Sequence, residues 1–166
     1  PAGLGTSLAV VQWSLGGALT ETGRHEEALA QGTAAEAAIR AVLALGPDAW
    51  SERTLAVLIA QRGEILMRLG RHDEAAALFA TGRGAREVAA AAEPDSSGKA
   101  RDVAVIVTLQ ARNELAAGRR AAGCAYLADA LARWDAIGRR WGLSPLDTAP
   151  LPAERTEYER RCAPAG

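Results

Sequence analysis

The sequence is poor in aromatic residues: one Phe, two Tyr and four Trp in 166 positions, 4% of the chain. So few large rings argue against a large aromatic-lined cofactor cavity. Lysine is nearly absent, with Lys99 alone, and the 19 basic residues face 20 acidic ones for a net charge of −1. That balance argues against a nucleic-acid binder relying on a strongly basic surface. The longest notable apolar runs, such as Leu55–Ala60, fall far short of the ~18 residues that span a bilayer. No basic-then-apolar leader opens the chain. No membrane insertion by this segment is expected. A chain opening on Pro1 rather than methionine is expected to be part of something longer. Two cysteines, Cys124 and Cys162, are too few for a disulfide framework and lack the spacing of a zinc site. Alanine is abundant, at 39 residues. It is the best helix former and a poor strand former, so an all-α fold is expected.

Comparing the chain with itself reveals three copies of one unit. Gly23-Arg24-His25-Glu26-Glu27-Ala28 recurs as Gly70-Arg71-His72-Asp73-Glu74-Ala75 and, more weakly, as Gly118-Arg119-Arg120-Ala121-Ala122-Gly123. Upstream, Leu8-Ala9-Val10-Val11 matches Leu55-Ala56-Val57-Leu58 and Val103-Ala104-Val105-Ile106. Small residues sit seven before each turn glycine (Gly16, Gly63, Ala111), five after it (Ala28, Ala75, Gly123) and twelve after it (Ala35, Gly82, Ala130). Each copy reads as a helical hairpin. The helices are expected over 6–22 with Thr6 or Ser7 as N-cap, 24–45, 51–69, 72–92, 99–117 and 120–141. A turn-rich stretch from Gly142 to Pro152 then leads to a seventh helix over 153–162. Leu15, Leu19, Leu66, Leu69, Phe79, Leu127 and Leu131 are expected to fill the core. The whole chain, 1–166, reads as one domain. Its repeats cover about 1–47, 48–94 and 95–142, and the closing loop and capping helix cover 143–166.

On Leu15-Gly16, Leu19 and Ala28 in copy one, and Gly63, Leu66, Ala75 and Phe79 in copy two, the chain resembles the tetratricopeptide repeat family. The usual unit has 34 residues, whereas the glycines here are 47 and 48 apart. Copy three departs further, with Glu114 replacing leucine and Gly123 replacing alanine. The resemblance implies a right-handed superhelix of three long hairpins with a C-terminal capping helix. In that family the first helices line a groove for a peptide or partner helix. Carried over by register, the groove residues are Thr6, Val10, Trp13, Gly17 and Glu21; then Arg53, Val57, Gln61, Glu64 and Arg68; then Arg101, Val105, Thr108 and Arg112. Trp13 is the leading ligand contact. The Lys/Asn set with which some members clamp a terminal carboxylate is missing, since Trp13 and Gly17 stand in its first positions. Pro47-Asp48 with Arg53–Val57, and Pro94-Asp95 with Arg101–Val105, also resemble the C-terminal repeats of bacterial eukaryotic-like Ser/Thr kinases. The Arg and Ala bias suits a bacterial source. No kinase motif is present.

Other residues support blander readings. His25 and His72 occupy equivalent turns, which explains them without a metal. Pro94-Asp95-Ser96-Ser97-Gly98-Lys99 lacks the upstream glycine and the final Ser or Thr of a phosphate loop, and reads as a turn between repeats. Glu26, Glu27, Asp73 and Glu74 suit helix N-termini. Trp134 and Trp141, seven apart, read as core, and Trp50 as the cover of a repeat junction. No catalytic set, cofactor or metal site emerges. The expectation is a non-enzymatic protein-interaction module, a scaffold or regulatory segment of a larger signalling protein. The alternatives are a self-association module, joined through a first hairpin that exposes Ala, Val and Leu, and a small all-helical enzyme or ligand-binding bundle. The C-terminal cap is expected to turn Glu154, Arg155, Glu157, Glu159 and Arg160 to water, with Tyr158 and Cys162 inward. Cys124 and Cys162 are expected to be separate buried thiols in a cytoplasmic chain. A bond between them would point instead outside the cytoplasm.

Overall fold

A computed structural model of the protein describes residues 2–162, with side chains from Ser7 onward. Every regular element among them is helical: α1 Ala2–Glu21, α2 His25–Leu43, α3 Ala49–Arg68, α4 His72–Ala92, α5 Ser97–Ala116, α6 Arg120–Trp141, α7 Pro145–Thr148 and α8 Leu151–Arg161. The chain divides into two compact units, one ending at Leu78 and the other beginning at Phe79, within α4. In the first unit α1 packs on α2 and α2 on α3; in the second α5 packs on α6, with α8 against α6.

Three turns are copies of one another. Gly23, Gly70 and Gly118 adopt φ of 76°, 72° and 77°, a left-handed conformation that glycine takes without strain. In each, the next amide reaches back five residues to close the helix: Arg24 to the Leu19 carbonyl at 2.9 Å, Arg71 to Leu66 at 2.9 Å, Arg119 to Glu114 at 2.8 Å. Arg24 then grips Glu27, and Arg71 grips Glu74. Copy three has Ala122 at that place, and Arg119 turns back to Glu114, the residue that replaced leucine. The two departures of the third copy thus compensate each other: a buried carboxylate stands in leucine's place and takes the orphaned arginine.

The small residues mark helix crossings. A Cβ on Gly16 would lie 3.5 Å from the Ala28 carbonyl, and Ala28, Ala35 and Ala75 are fully buried. At Gly123 the approach is closer still. A Cβ there would meet Leu115 side-chain atoms at 2.7 Å and its backbone nitrogen at 2.9 Å. Gly123→Ala is therefore expected to cost about 1–3 kcal/mol, because α5 and α6 must move apart. Urea unfolding of the variant checks this; an unchanged midpoint would refute it.

Copies also meet their successors in one register. The residue thirteen past a turn glycine contacts the residue eight before the next one. Glu36 pairs with Arg62 in the first unit, and Arg83 donates to Gln110 at 3.4 Å in the second. Arg62 reaches Glu36 by lying across Gly32, where an added Cβ would sit 2.8 Å from its Cγ.

Several expectations need correction. Helix α1 begins at Ala2, so neither Thr6 nor Ser7 is its N-cap. The caps that form are Asp48, accepting from the Ser51 amide at 2.8 Å, and Ser96. The stretch before α8 holds the extra turn α7, opened by a Ser144–Asp147 capping box. Leu15 is 46% exposed rather than core. Trp50 and Trp141 are exposed as well, Trp141 lying under the Arg140 guanidinium 4.4 Å away, whereas Trp134 is buried as expected. Cys124 and Cys162 are not separate thiols but are bonded, with Cα atoms 5.3 Å apart, because α8 returns along α6. Glu154 is buried rather than solvated.

Candidate functional site

Helices α1 and α3 of the first unit enclose a cleft of about 220 Å³ lined by Gly17, Thr20, Glu21, Gln61, Glu64, Ile65 and Arg68. Five of these seven are residues that the register placed on the groove. Thr20 and Ile65 were missed. Thr20 lies one turn beyond Gly17 and Ile65 one turn beyond Gln61, so helical spacing alone could have found them. Gly17 keeps the cleft open, since even a Cβ there would touch the Gln61 amide nitrogen, 3.9 Å away. Thr20 satisfies its own hydroxyl by donating to the Gly16 carbonyl at 2.8 Å.

The charges in this cleft are unusual for the molecule. Most Arg, Asp and Glu side chains elsewhere are engaged, such as Arg40 with Glu36, Arg133 with Asp129 and Arg161 with Glu157. Glu21, Gln61, Glu64 and Arg68 make no side-chain hydrogen bond or ion pair with another described residue, and neither does Arg53 on the same helix α3. Glu64 and Arg68 stand four apart, a spacing that permits a pair, yet none forms.

The other expected groove residues fare differently. Trp13 is half-buried and packs on the core of Ala9, Ala35, Ile39 and Leu58, outside the cleft. Val10 and Val57 are exposed, and the side chain of Thr6 lies outside the described residues. In the second unit Arg101 is held by Asp147 of α7, and Arg112 by Glu154 of α8, with Arg112 Nε 2.7 Å from Glu154 Oε1. Burial alone would raise the Asp147 carboxyl. Hydrogen bonds from Ser144 and Arg101 outweigh it and hold the group below its usual value. Thr108 is buried, accepting from the Trp134 indole at 3.1 Å and donating to the Ala104 carbonyl at 2.9 Å. Val105 packs beside Trp134, Ile137 and Leu151. The closing segment thus engages Arg101 and Arg112, while Trp134 of α6 lies on Thr108.

Among the described residues, no group of three or more His, Cys, Asp or Glu could hold a metal, and no helix is long and apolar enough to cross a membrane. No protein-family model, curated protein or solved structure matches the chain.

Proposed function

We propose that this chain is a non-enzymatic protein-interaction module whose copies stack as a tetratricopeptide-like right-handed superhelix. In this reading it binds a peptide or partner helix on the α1–α3 face of its first unit. The observation that carries the reading is the cleft with its unengaged Glu21, Gln61, Glu64 and Arg68. Exposed charges with no partner of their own have no internal ion pair to break before they meet one from another chain. The kinase-like Pro-Asp segments support a place in a larger bacterial signalling protein. The Cys124–Cys162 bond favours an oxidising compartment over reduced cytosol.

Panning a random peptide library against the immobilised chain tests the cleft. Clones enriched on the wild type are expected to lose at least tenfold in binding to the Glu64→Arg/Arg68→Glu double variant and to keep binding Glu159→Arg. Equal binding to all three would remove the assignment.

A second reading, self-association, rests on α1. Leu8, Val11 and Leu15 are 52%, 63% and 46% exposed and recur at three- and four-residue steps, the spacing of a coiled-coil seam. By register Val11 matches Leu58 and Ile106, both fully buried within the chain. In copies two and three that position is covered; in copy one it is bare. The only charge on α1 is Glu21, near its end, so two seams meeting antiparallel bring no like charges together. Light scattering is expected to show a mass between those of one and two chains that rises with concentration. Val11→Glu should return it to one chain, while Val88→Glu, at an isolated exposed valine, should not. A concentration-independent single-chain mass would refute this reading.

A further inference from the structure

Unit two contains a helix already docked by its own chain. Helix α8 has 11 residues against the 22 of α6, and Arg155 of α8 pairs with Asp135 of α6. Leu151 enters the cluster of Ala104, Trp134 and Ile137; Tyr158 and Cys162 lie against Ala111, Leu115, Leu127 and Leu131. Between these anchors Glu154 takes Arg112, and Asp147, one turn before α8, takes Arg101. Arg161 donates to the Leu115 carbonyl at 3.2 Å.

The face beneath is of a kind that receives helices elsewhere in the molecule. In the first unit Arg62 of α3 lies over Gly32 and Glu36 of α2. Counted from the turn glycines, those two residues correspond to Leu127 and Leu131 of α6, which Tyr158 and Cys162 cover. So α8 occupies α6 where α3, a 20-residue helix, occupies α2. An isolated helix of 11 residues is marginal in water, so α8 has little tendency to hold itself together. What fixes its last turn is the covalent bond from Cys162 to Cys124.

We propose that the α5–α6 face under α8 is a docking surface for a short amphipathic helix that bears one acidic side chain and is preceded by a second acid. Helix α8 is its tethered occupant, and the Cys124–Cys162 bond is the lock. The partner's chemistry is read from the occupant: a helix with an apolar residue, an acid three positions later and a second apolar residue at seven, as in Leu151, Glu154 and Tyr158, preceded outside the helix by a second acid, as in Asp147 of α7. Arg112 and Arg101 are the complementary charges. This site is separate from the α1–α3 cleft and does not depend on it.

Opening requires a dithiol reductant. Its thiolate attacks one sulfur of the bond, giving a mixed disulfide and releasing the other cysteine. Its second thiol then closes on the first, freeing both cysteines. Two electrons and two protons pass from the dithiol, which leaves as a disulfide. Both cysteines are half-buried rather than sealed. Arg120, hydrogen-bonded to the carbonyl of Arg161 next to Cys162, places positive charge near the bond, which favours a departing thiolate.

Two experiments on the full chain decide the matter. In the first, Cys162→Ser leaves Cys124 free, and the probe is a synthetic peptide of residues 144–162 with its own Cys162, in glutathione buffer. Mass spectrometry should find at least tenfold more of this peptide disulfide-linked to Cys124 than of the same peptide carrying Asp147→Lys and Glu154→Lys. The advantage should fall below twofold when the chain also carries Arg101→Ala and Arg112→Ala. Equal capture of the two peptides would mean that thiol reach alone is at work, and would overturn the proposal. In the second, hydrogen exchange of the native chain is followed before and after dithiothreitol. Amides of α8 should exchange at least tenfold faster after reduction while α5 and α6 keep their protection. Unchanged α8 amides would show that the bond locks nothing. Protection lost throughout α5 and α6 would show that it holds the fold rather than guards a surface.

Discussion

Glu36→Ala is expected to lower the stability of the first unit by about 3–5 kcal/mol, the cost of leaving one member of a buried ion pair alone. Glu36 accepts from two arginines that are not equivalent. Arg40, one turn along α2 and 53% exposed, can swing into water when the carboxylate is removed. Arg62 comes from α3, is 18% exposed, and lies with its stem across Gly32, so it has no comparable freedom. Its Nε is already buried without a partner, and the Glu36 carboxylate supplies the compensation at its other end. Replacing both residues together, Glu36→Leu with Arg62→Leu, should recover most of the loss, because an apolar pair of similar size incurs no desolvation cost. Urea unfolding followed by circular dichroism measures all three. A double variant as unstable as Glu36→Ala alone would mean that packing, not charge, dominates there.

That junction also shows what the sequence could and could not disclose. The hairpin turns were legible because each depends on one residue type: only glycine takes the left-handed conformation at Gly23, Gly70 and Gly118 without strain, so all three copies retain it. The crossings were legible for a similar reason, since buried contact at Ala28, Ala75 and Gly123 tolerates only small side chains. The junction between copies was not. Its two positions hold Glu36 with Arg62 in one place and Arg83 with Gln110 in the next, so geometry is kept while residue identity changes. Comparison of letters cannot see a contact whose chemistry is rewritten at each copy. The register placed residues of all three first helices on one groove; of these, Gly17, Glu21, Gln61, Glu64 and Arg68 line the α1–α3 cleft. Trp13 lies outside that cleft because large aromatic side chains are drawn to apolar neighbours, and the core of Ala9, Ile39 and Leu58 lies within its reach. Arg101 and Arg112 were placed on an open face because nothing in their own repeat shows that Asp147 and Glu154, more than forty residues on, return to meet them.

Trp134→Ala should cost the second unit about 3–5 kcal/mol, the usual range for emptying a large aromatic site. The indole is almost fully buried and joins three layers: Ala104 of α5, Ile137 of its own helix and Leu151 of α8. Collapse into the space would have to draw in α8, which has few other apolar anchors. Trp134→Phe separates volume from polarity. It keeps most of the buried ring but removes the indole N–H that donates to the Thr108 hydroxyl. Thr108 still donates to the Ala104 carbonyl, so only one lone pair loses its donor, and the expected cost falls to about 1–2 kcal/mol. The two variants also differ in where they act. Alanine removes the surface on which Leu151 rests, so exchange of α8 amides should quicken even in the oxidised chain. Phenylalanine keeps that surface, so α8 protection should stay near wild type. If phenylalanine proves as costly as alanine and frees α8 equally, the hydrogen bond to Thr108, rather than the packed ring, organises this end of the molecule.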